Sequence, residues 1–421
     1  MKALTLLKRH PLLRTLLELQ GNPRACVYTE PLWGIPYNLY IPYASLYMAR
    51  LGLSDLQIGL IAAFAAFFQM FGALFGGLVT DKLGRRTTTF LFDMLSWSVP
   101  SLIWMCSQNF WWFFAATVFN SMWQVTDNAW SCLLVEDCDP EKLVDVYTWV
   151  SVSGLLAVFF APLSSFLVGR FSVVPAMRML YLFTFLMMTS KFFILYRFCT
   201  ETEQGKLRRE QTKNTSFFSL FCGYGQIFRN ILHTPATFVA LALKVLINIT
   251  QMINGNFFGL YITRRLGIPE GMVALFPMVR AAVMLLFIFT VQHRLNQMKF
   301  RPIMFSGAAL YLAANAVLLL ASGESLWLLA VYLLLDAFSC ALLIPRNDSI
   351  LALFVDKQER ARTLGLLFVI TLGFTSPFGA LVGKLSEISI RLPFFLNTAL
   401  FGMILLLILF SRPLKEQDAR A

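Results

Sequence analysis

Charged side chains are scarce in this chain of 421 residues, since only 14% are Asp, Glu, Lys or Arg while 57% are apolar. A soluble globular protein carries roughly 25% charged residues, and the charges here are grouped between long apolar runs. A soluble enzyme and a nucleic-acid binder are therefore excluded, and lipid is the expected solvent. The formal net charge of +12 suits loops that Lys and Arg hold at the cytoplasmic face of a membrane.

Metal-binding and nucleotide-binding patterns are also missing. The three His and seven Cys include no CxxC pair, which argues against a disulfide framework and a metal centre. No GxxxxGK[ST] loop occurs, which argues against ATP hydrolysis by this chain. We therefore expect no cofactor, no metal and no catalytic residue.

The first 31 residues lack the apolar core and small-residue cleavage site of a removable signal peptide. Their Leu residues instead recur at helical spacing, at Leu4, Leu7, Leu12, Leu13, Leu16 and Leu17. This spacing predicts a cytoplasmic amphipathic segment over residues 1–31 that lies on the inner membrane surface.

Twelve segments are apolar over enough residues to cross a bilayer, which takes roughly 20 residues in a helix. They cover approximately residues 32–50, 56–79, 87–107, 110–135, 146–168, 176–197, 236–262, 270–292, 302–322, 325–345, 362–383 and 391–411. Lys and Arg are concentrated in the N-terminal segment and in the loops that lie on the same side of the membrane as the N-terminus. The positive-inside rule then places both termini in the cytoplasm. We expect an all-α protein with twelve transmembrane helices in the plasma membrane.

The chain also repeats itself. The segment YMARLGLSD, from Tyr47 to Asp55, reappears as YITRRLGIPE from Tyr261 to Glu270, and two further echoes follow at a similar spacing. This pattern predicts a parallel duplication of a six-span unit. The expected parts are a six-helix bundle over 32–199, an inter-bundle loop over 200–235, a second six-helix bundle over 236–411 and a cytoplasmic tail over 412–421.

A loop between the second and third spans reads GLVTDKLGRR, from Gly77 to Arg86. It resembles the GxxxD(R/K)xGRR loop of the major facilitator superfamily, and the duplicated layout resembles the same superfamily over nearly the whole chain. The resemblance implies two pseudo-symmetric six-helix bundles that carry out transport.

The resemblance also implies roles in a conformational gate. It implies that Asp81 faces the start of a helix in the other half, and that Arg85 and Arg86 face Glu136 or Asp137. Gly77 and Gly84 would permit close approach and a tight turn. A carboxylate at a helix N-terminus is stabilised by roughly 0.3–1 kcal/mol. Alternatively, the basic residues merely keep this loop in the cytoplasm.

Polar side chains recur at helical spacing inside spans one, four, seven and ten, which line the central cavity in the superfamily that this chain resembles. Such groups are costly in hydrocarbon unless they face a bundle interior or water. The candidate substrate-binding residues are Asn38, Tyr43, Trp123, Gln124, Asp127, Lys244, Asn248, Gln251 and Asp336. Alternatively, these groups satisfy one another between packed helices.

Five ionisable groups in the spans carry specific expectations. Asp127 and Asp336 are candidates for proton coupling, followed by Asp93, because burial and neighbouring charge control the protonation of a carboxylate. Lys191 is expected to extend to the inner headgroups. Arg280 lies near the middle of the bilayer and needs a partner that the sequence does not identify.

Two contacts are predicted from depth and pseudo-symmetry. Asp127 and Arg346 occupy equivalent positions in the two repeats, which predicts an inner-gate contact between them. Lys244 and Asp336 lie at nearly the same depth, which predicts an ion pair or a joint substrate site.

These observations favour a secondary active transporter that moves a small solute, such as a sugar or another polar metabolite, by alternating access. The expected partners are the substrate, a coupling ion that we take to be a proton, and the lipid bilayer, with the chain as a monomer. One alternative is a multidrug or lipid exporter, although span four lacks the arginine and span five the GPxxGG-like motif of multidrug exporters. Another is a membrane receptor or scaffold without transport.

Overall fold

The structure is a computed structural model that describes residues 11–213, 229, 233–291, 299–323, 326–354, 360–412 and 414. Within these ranges the regular structure is entirely helical, and ten helices are long and apolar enough to cross a membrane. The chain is thus an all-helical, multi-pass membrane protein. Leu4, Leu7 and most of the predicted C-terminal tail lie outside the described residues.

Nineteen α-helices follow one another in the described ranges. They are α1 (Pro11–Glu18), α2 (Gly21–Thr29), α3 (Pro31–Tyr40), α4 (Ala44–Arg50), α5 (Asp55–Leu83), α6 (Arg85–Asp93), α7 (Val99–Cys106), α8 (Phe110–Asn120), α9 (Trp123–Val135), α10 (Leu143–Val158), α11 (Ala161–Phe171), α12 (Val173–Phe198), α13 (Glu203–Thr212), α14 (Pro235–Arg264), α15 (Leu275–Thr290), α16 (Phe300–Leu320), α17 (Leu326–Phe354), α18 (Arg360–Ile388) and α19 (Leu392–Phe410). A π-helical turn, Met94–Ser98, joins α6 to α7, and short 3-10 turns occupy Ile41–Tyr43, Pro140–Lys142 and Glu270–Met272.

Two of the twelve predicted spans are broken helices, which accounts for the smaller number of long helices. Span one changes from α3 to a 3-10 turn and then to α4, where Pro42 cannot donate a backbone hydrogen bond. Span four is interrupted between α8 and α9, where the Ser121 hydroxyl donates to the Thr117 carbonyl. The total of twelve crossings and the cytoplasmic position of the termini stay predictions.

The first of two compact units comprises Met1–Ile41, Phe71–Phe160 and Met177–Phe221. Its core includes Cys26, Val27, Leu133, Leu134, Val146 and Leu195. The Thr15 hydroxyl donates to Asp145 at 2.5 Å, and Leu19 is buried in the same core. The described part of the predicted N-terminal amphipathic segment therefore packs into this unit.

The second unit comprises Pro42–Met70, Ala161–Ala176 and Cys222–Ala421. Within it, α5 and α18 touch at glycines. A Cβ added at Gly379 would lie 2.6 Å from both the Ala63 nitrogen and the Gly59 carbonyl oxygen, and one added at Gly383 would lie 2.6 Å from the Asp55 carbonyl oxygen. Small residues permit such backbone contact between membrane helices. The six-helix bundles expected from the duplication stay a prediction.

Candidate functional site

A cavity of about 130 Å³ lies within the first unit. Its walls bring together four indole rings, three carboxyls, one ammonium and one hydroxyl, from Trp33, Trp97, Trp123, Trp130, Glu30, Asp93, Asp127, Lys191 and Thr126. Ionisable groups inside membrane proteins face interiors or cavities and mark pathways for substrates and ions. This cavity is the candidate functional site.

Helix α9 contributes one face to the cavity. Trp123, Asp127 and Trp130 lie at positions i, i+4 and i+7 of this helix, which places them on the same side. Two of these residues, Trp123 and Asp127, were predicted substrate contacts, and both line the cavity. Whether they bind a substrate stays a prediction.

The π-helical turn places two further groups at the cavity. Asp93 ends α6 and is only 4% exposed, and Trp97 lies four residues later within Met94–Ser98. A π-turn inserted in an α-helix is frequently found at functional sites. The sequence makes Asp93 the third candidate carboxylate but does not predict Trp97, because a π-turn has no reliable sequence pattern.

A buried ion pair joins the first and the last segment of the first unit. Lys191 Nζ lies 2.8 Å from Glu30 Oε2, and the two side chains are 6% and 11% exposed. The same Nζ lies 5.9 Å and 5.5 Å from the ring centres of Trp33 and Trp130. The expectation that Lys191 extends to the headgroups is therefore wrong. Its partner Glu30 was missed because it was assigned to the segment before span one.

Aromatic contacts hold one wall of the cavity in place. The Trp33 ring stacks on Tyr37 with 4.8 Å between centroids and meets Trp97 edge to face at 5.3 Å. Both arrangements are favourable for aromatic pairs. These rings therefore present a fixed surface to the cavity.

Three predicted substrate contacts lie elsewhere. Asn38 Nδ2 donates to the Gly34 carbonyl at 2.8 Å. Gln124 is buried against Gly72 of α5. A Cβ added at Gly72 would lie 3.1 Å from the Cβ of Gln124. Tyr43, in the second unit, is fully buried and donates to the Gly271 carbonyl at 2.9 Å. Gln124 lies three residues before Asp127 on the same helix and so is turned roughly 60° away from it, toward Gly72 of α5. Whether Gln124 binds a substrate stays a prediction.

Asp336 pairs with Arg280 in the second unit. Arg280 Nε lies 2.7 Å from Asp336 Oδ2, and the Asp336 side chain is 1% exposed. The N–H does not point along this line, so the contact is an ion pair rather than an aligned hydrogen bond. The predicted pairing of Asp336 with Lys244 is therefore corrected, because equal depth does not fix which face of a helix a residue occupies.

The other candidates in the second unit lie on α14 and α17. Lys244 and Asn248 are partly buried on α14, and Gln251 is exposed on the same helix. Arg346 is buried on α17, where its Nη1 donates to the Leu342 carbonyl at 3.3 Å. The contact predicted between Asp127 and Arg346 stays a prediction.

A hydrogen-bonded group that the sequence does not predict lies in the second unit. The Tyr311 hydroxyl accepts from Asn254 Nδ2 and from Asn397 Nδ2, the latter at 2.8 Å. The Tyr311 ring stacks on Phe401 at 3.7 Å. These bonds link α14, α16 and α19, while the buried Asn397 Oδ1 has no hydrogen-bond partner within the described ranges.

The loop of the superfamily motif forms a second charged cluster in the first unit. Arg85, whose side chain is 5% exposed, donates to Glu136 through Nε and Nη2 at 3.1–3.2 Å and to Asp81 Oδ1 at 3.0 Å. The Thr202 hydroxyl donates to the same Glu136 carboxylate. The contact between Arg85 and Glu136 that the resemblance implied is present. The gating role of this cluster stays a prediction.

Arg86 does not face Glu136 or Asp137, contrary to expectation. Its guanidinium donates to the Tyr196 carbonyl at 2.5 Å and 3.0 Å. Asp137 instead accepts from Asn22 Nδ2 at 2.9 Å. Burial, and then the adjacent charge of Glu136, raise the pKa of Asp137 above its usual value.

Glu201 fixes the start of α6, where Arg85 and Arg86 lie. The sequence did not point to this residue. Its carboxylate accepts from the backbone N–H of Arg85 at 2.8 Å and of Arg86 at 3.1 Å, which caps the start of α6. Gly84 has φ of +89°, and a Cβ there would lie 2.5 Å from Glu201 Oε2. Gly84 is therefore required both for its conformation and for the space that Glu201 fills.

Gly77 does not make the close approach that the motif suggested. A Cβ at Gly77 would have only Asn128 nearby, at 3.9 Å, whereas one at Gly76 would lie 3.2 Å from the Val125 backbone. The glycines that face α9 are Gly72 and Gly76, because one residue turns the helix by about 100°.

No group of three or more His, Cys, Asp or Glu side chains that could hold a metal ion occurs in the described ranges. The six cysteines found there are free thiols.

Long apolar helices, with a charged and aromatic cavity in the first unit, define the class of multi-pass membrane proteins. The chain belongs to the MFS_1 like family, whose model matches residues 38–394. The resemblance to the major facilitator superfamily is thereby confirmed.

Solved structures share this fold. The nucleoside transporter NupG matches with a TM-score of 0.70 and 14% identity, over 94% of this chain and 100% of that one. A POT family transporter in complex with 5-aminolevulinic acid matches with a TM-score of 0.73 and 15% identity, over 93% and 97%. The peptide transporter POT in complex with sulfate matches with a TM-score of 0.71 and 13% identity, over 95% of each chain. No curated protein matches the sequence.

Proposed function

We propose that this protein is a secondary transporter that carries a small polar solute across the plasma membrane by alternating access. The cavity of the first unit is the observation that carries the proposal. It contains a buried carboxyl, Asp93, and a buried ion pair between Glu30 and Lys191. Ionisable groups are retained inside membrane proteins where a substrate or ion passes.

Alternating access requires an outer closure that can open again. In the second unit, Arg50 Nε lies 2.6 Å from Glu270 Oε1 and Arg264 Nη1 lies 2.7 Å from Asp55 Oδ1. Each pair joins one copy of the sequence repeat to the other. We propose that these two pairs, called the outer pairs below, hold the outer side closed in one state of the transport cycle.

The cluster of Asp81, Arg85, Glu136 and Glu201 is proposed to act at the inner side. An inner gate of this kind is compatible with cytoplasmic termini and with the two expected six-helix bundles. We keep the monomer as the proposed transporting form.

We further propose that a proton gradient drives transport and that Asp93 or Asp127 carries the proton. Both carboxyls line the cavity, and no ion pair to either is found within the described ranges. Asp336, the other candidate, is paired with Arg280. A carboxylate that passes between dry and wet surroundings changes its proton affinity, which links proton movement to solute movement.

Uptake into proteoliposomes tests the proposal. Sugars, amino acids, amines and nucleosides would be offered with an inward pH gradient and without one. We expect one class to accumulate above protein-free liposomes and to do so more strongly with the gradient. Asp93→Asn or Asp127→Asn should abolish the effect of the gradient, while Asp139→Asn, at a 70% exposed side chain, should retain it. Binding of a solute without flux in either direction would indicate a receptor instead.

A further inference from the structure

The charges on the walls of the first unit's cavity do not balance. Glu30 and Lys191 neutralise each other at 2.8 Å. Asp93 and Asp127 remain, and the described ranges contain no ion pair to either of them. Because a buried charge without a counter-charge is costly, each of these carboxyls needs either a bound proton or a positively charged occupant.

The indole rings are also suited to a cation. An ammonium or guanidinium group is attracted to the face of an aromatic ring within about 6 Å, and Trp is the strongest partner. Lys191 Nζ already occupies such positions at Trp33 and Trp130, 5.9 Å and 5.5 Å from the ring centres. Trp97 and Trp123 line the remaining wall. They lie in the same cavity as Asp93 and Asp127, for which the described ranges contain no ion pair.

The cavity has room for a small head group. One water molecule takes a share of about 30 Å³ of the liquid, so a cavity of about 130 Å³ has the volume of roughly four waters. Trp130 Nε1, on the wall, is buried and has no acceptor within the described ranges. An occupant with one oxygen acceptor near its positive charge would satisfy this N–H.

We propose that this cavity binds the ammonium head group of a small organic cation, which names the substrate class and rests on the proposed transport function. Asp93 and Asp127 supply the counter-charge, and Trp97 and Trp123 supply the ring faces. A neutral sugar can also stack on indole rings. It would bring no positive charge to either carboxyl, which disfavours it.

Binding to the full chain in lipid nanodiscs tests the charge requirement. The probes are choline, its neutral isostere 3,3-dimethylbutan-1-ol, in which carbon replaces nitrogen, and glucose, each titrated by calorimetry. We expect choline to bind roughly tenfold or more tightly than the isostere, because only the cation interacts with the carboxylates and the ring quadrupoles. Equal affinity for choline and the isostere would overturn the proposal, as would binding of glucose without choline.

Substitutions test which groups recognise the cation. Asp93→Asn keeps the size of the side chain and should weaken choline roughly tenfold or more. Trp123→Phe should weaken it less than Trp123→Leu, because only the former retains a ring face. The matched controls are Asp139→Asn and Trp111→Leu, two positions that are each 70% exposed. Both variants should bind choline as tightly as the unchanged protein does. Each variant is compared after size-exclusion chromatography and thermal unfolding, and a folded Asp93→Asn with unchanged affinity would contradict the assignment.

Counterflow in proteoliposomes separates this inference from the proposed function. Labelled choline should exchange against internal unlabelled choline at a rate that Asp93→Asn lowers. Tight binding of choline without exchange would leave the cation site standing and overturn transport of the cation. Uptake of another solute that choline does not inhibit would support transport and overturn the cation site.

Discussion

Asp55 and Arg264 form an ion pair of 2.7 Å between the two copies of one sequence repeat. The reciprocal pair, Arg50 with Glu270, joins the same two segments in the opposite sense. Tyr47 and Tyr261, which begin the two copies, are both fully buried. The repeat that revealed the duplication is thus also a contact surface within the second unit.

Breaking the outer pairs should open the outer side. Asp55 is 8% exposed and also accepts from Ser386 at 2.7 Å, so Asp55→Asn removes a largely buried counter-charge. We expect a shift of about 1 kcal/mol, roughly fivefold, toward the outward-open state. A cysteine placed at Leu46 should then react faster with an impermeant maleimide.

The exposed outer pair supplies a control for this prediction. Arg50 is 60% exposed, so Arg50→Glu should have a smaller effect, and adding Glu270→Arg should restore the closed state. Unchanged maleimide reactivity in Asp55→Asn would show that the pair does not hold the outer side closed.

The glycine contact between α5 and α18 should be intolerant of side chains. Gly379→Ala places a Cβ 2.6 Å from backbone atoms of Gly59 and Ala63, and overpacking of this kind costs roughly 1–3 kcal/mol. Gly402→Ala, where nothing lies within 4 Å of the added Cβ, is the matched control. We expect a lower thermal midpoint in detergent for the first variant alone. Equal midpoints would mean that the two helices can separate without cost.

The sequence predicted the helical class, most span positions and the superfamily, because apolar length and the loop motif depend on local composition. It could not predict the interruptions at Ile41–Tyr43 and at Ser121, since proline and serine also occur inside continuous membrane helices.

Candidate charges were found from the sequence, but their partners were not. Spacing along one helix predicts which residues share a face, whereas an ion pair such as Glu30 with Lys191 depends on how distant helices pack. The Glu201 contact with the backbone of α6 is likewise a tertiary contact. Depth counting gave Asp336 the wrong partner because it leaves the rotation of each helix undetermined.

The inner cluster should contribute stability through Glu136. Arg85 is 5% exposed and donates to Glu136 and Asp81. Glu136→Gln therefore leaves the buried guanidinium of Arg85 with Asp81 as its single ionised partner. Removing one member of a buried pair costs roughly 3–5 kcal/mol, and the retained Asp81 should keep the loss near the lower end. Thermal unfolding in detergent measures it. Glu203→Gln, at an 83% exposed side chain, should leave the midpoint unchanged, and an equally small effect of Glu136→Gln would contradict the prediction.

A double-mutant cycle can distinguish the pairing of Asp336 with Arg280 from its pairing with Lys244. Arg280→Met and Asp336→Asn should each lower stability by roughly 3–5 kcal/mol, because each leaves one buried charge without a partner. The double variant should recover much of this loss, since no isolated charge remains. Lys244→Met combined with Asp336→Asn should instead give additive effects within roughly 0.5 kcal/mol. Coupling in the Lys244 cycle with additivity in the Arg280 cycle would restore the partner that depth alone suggested.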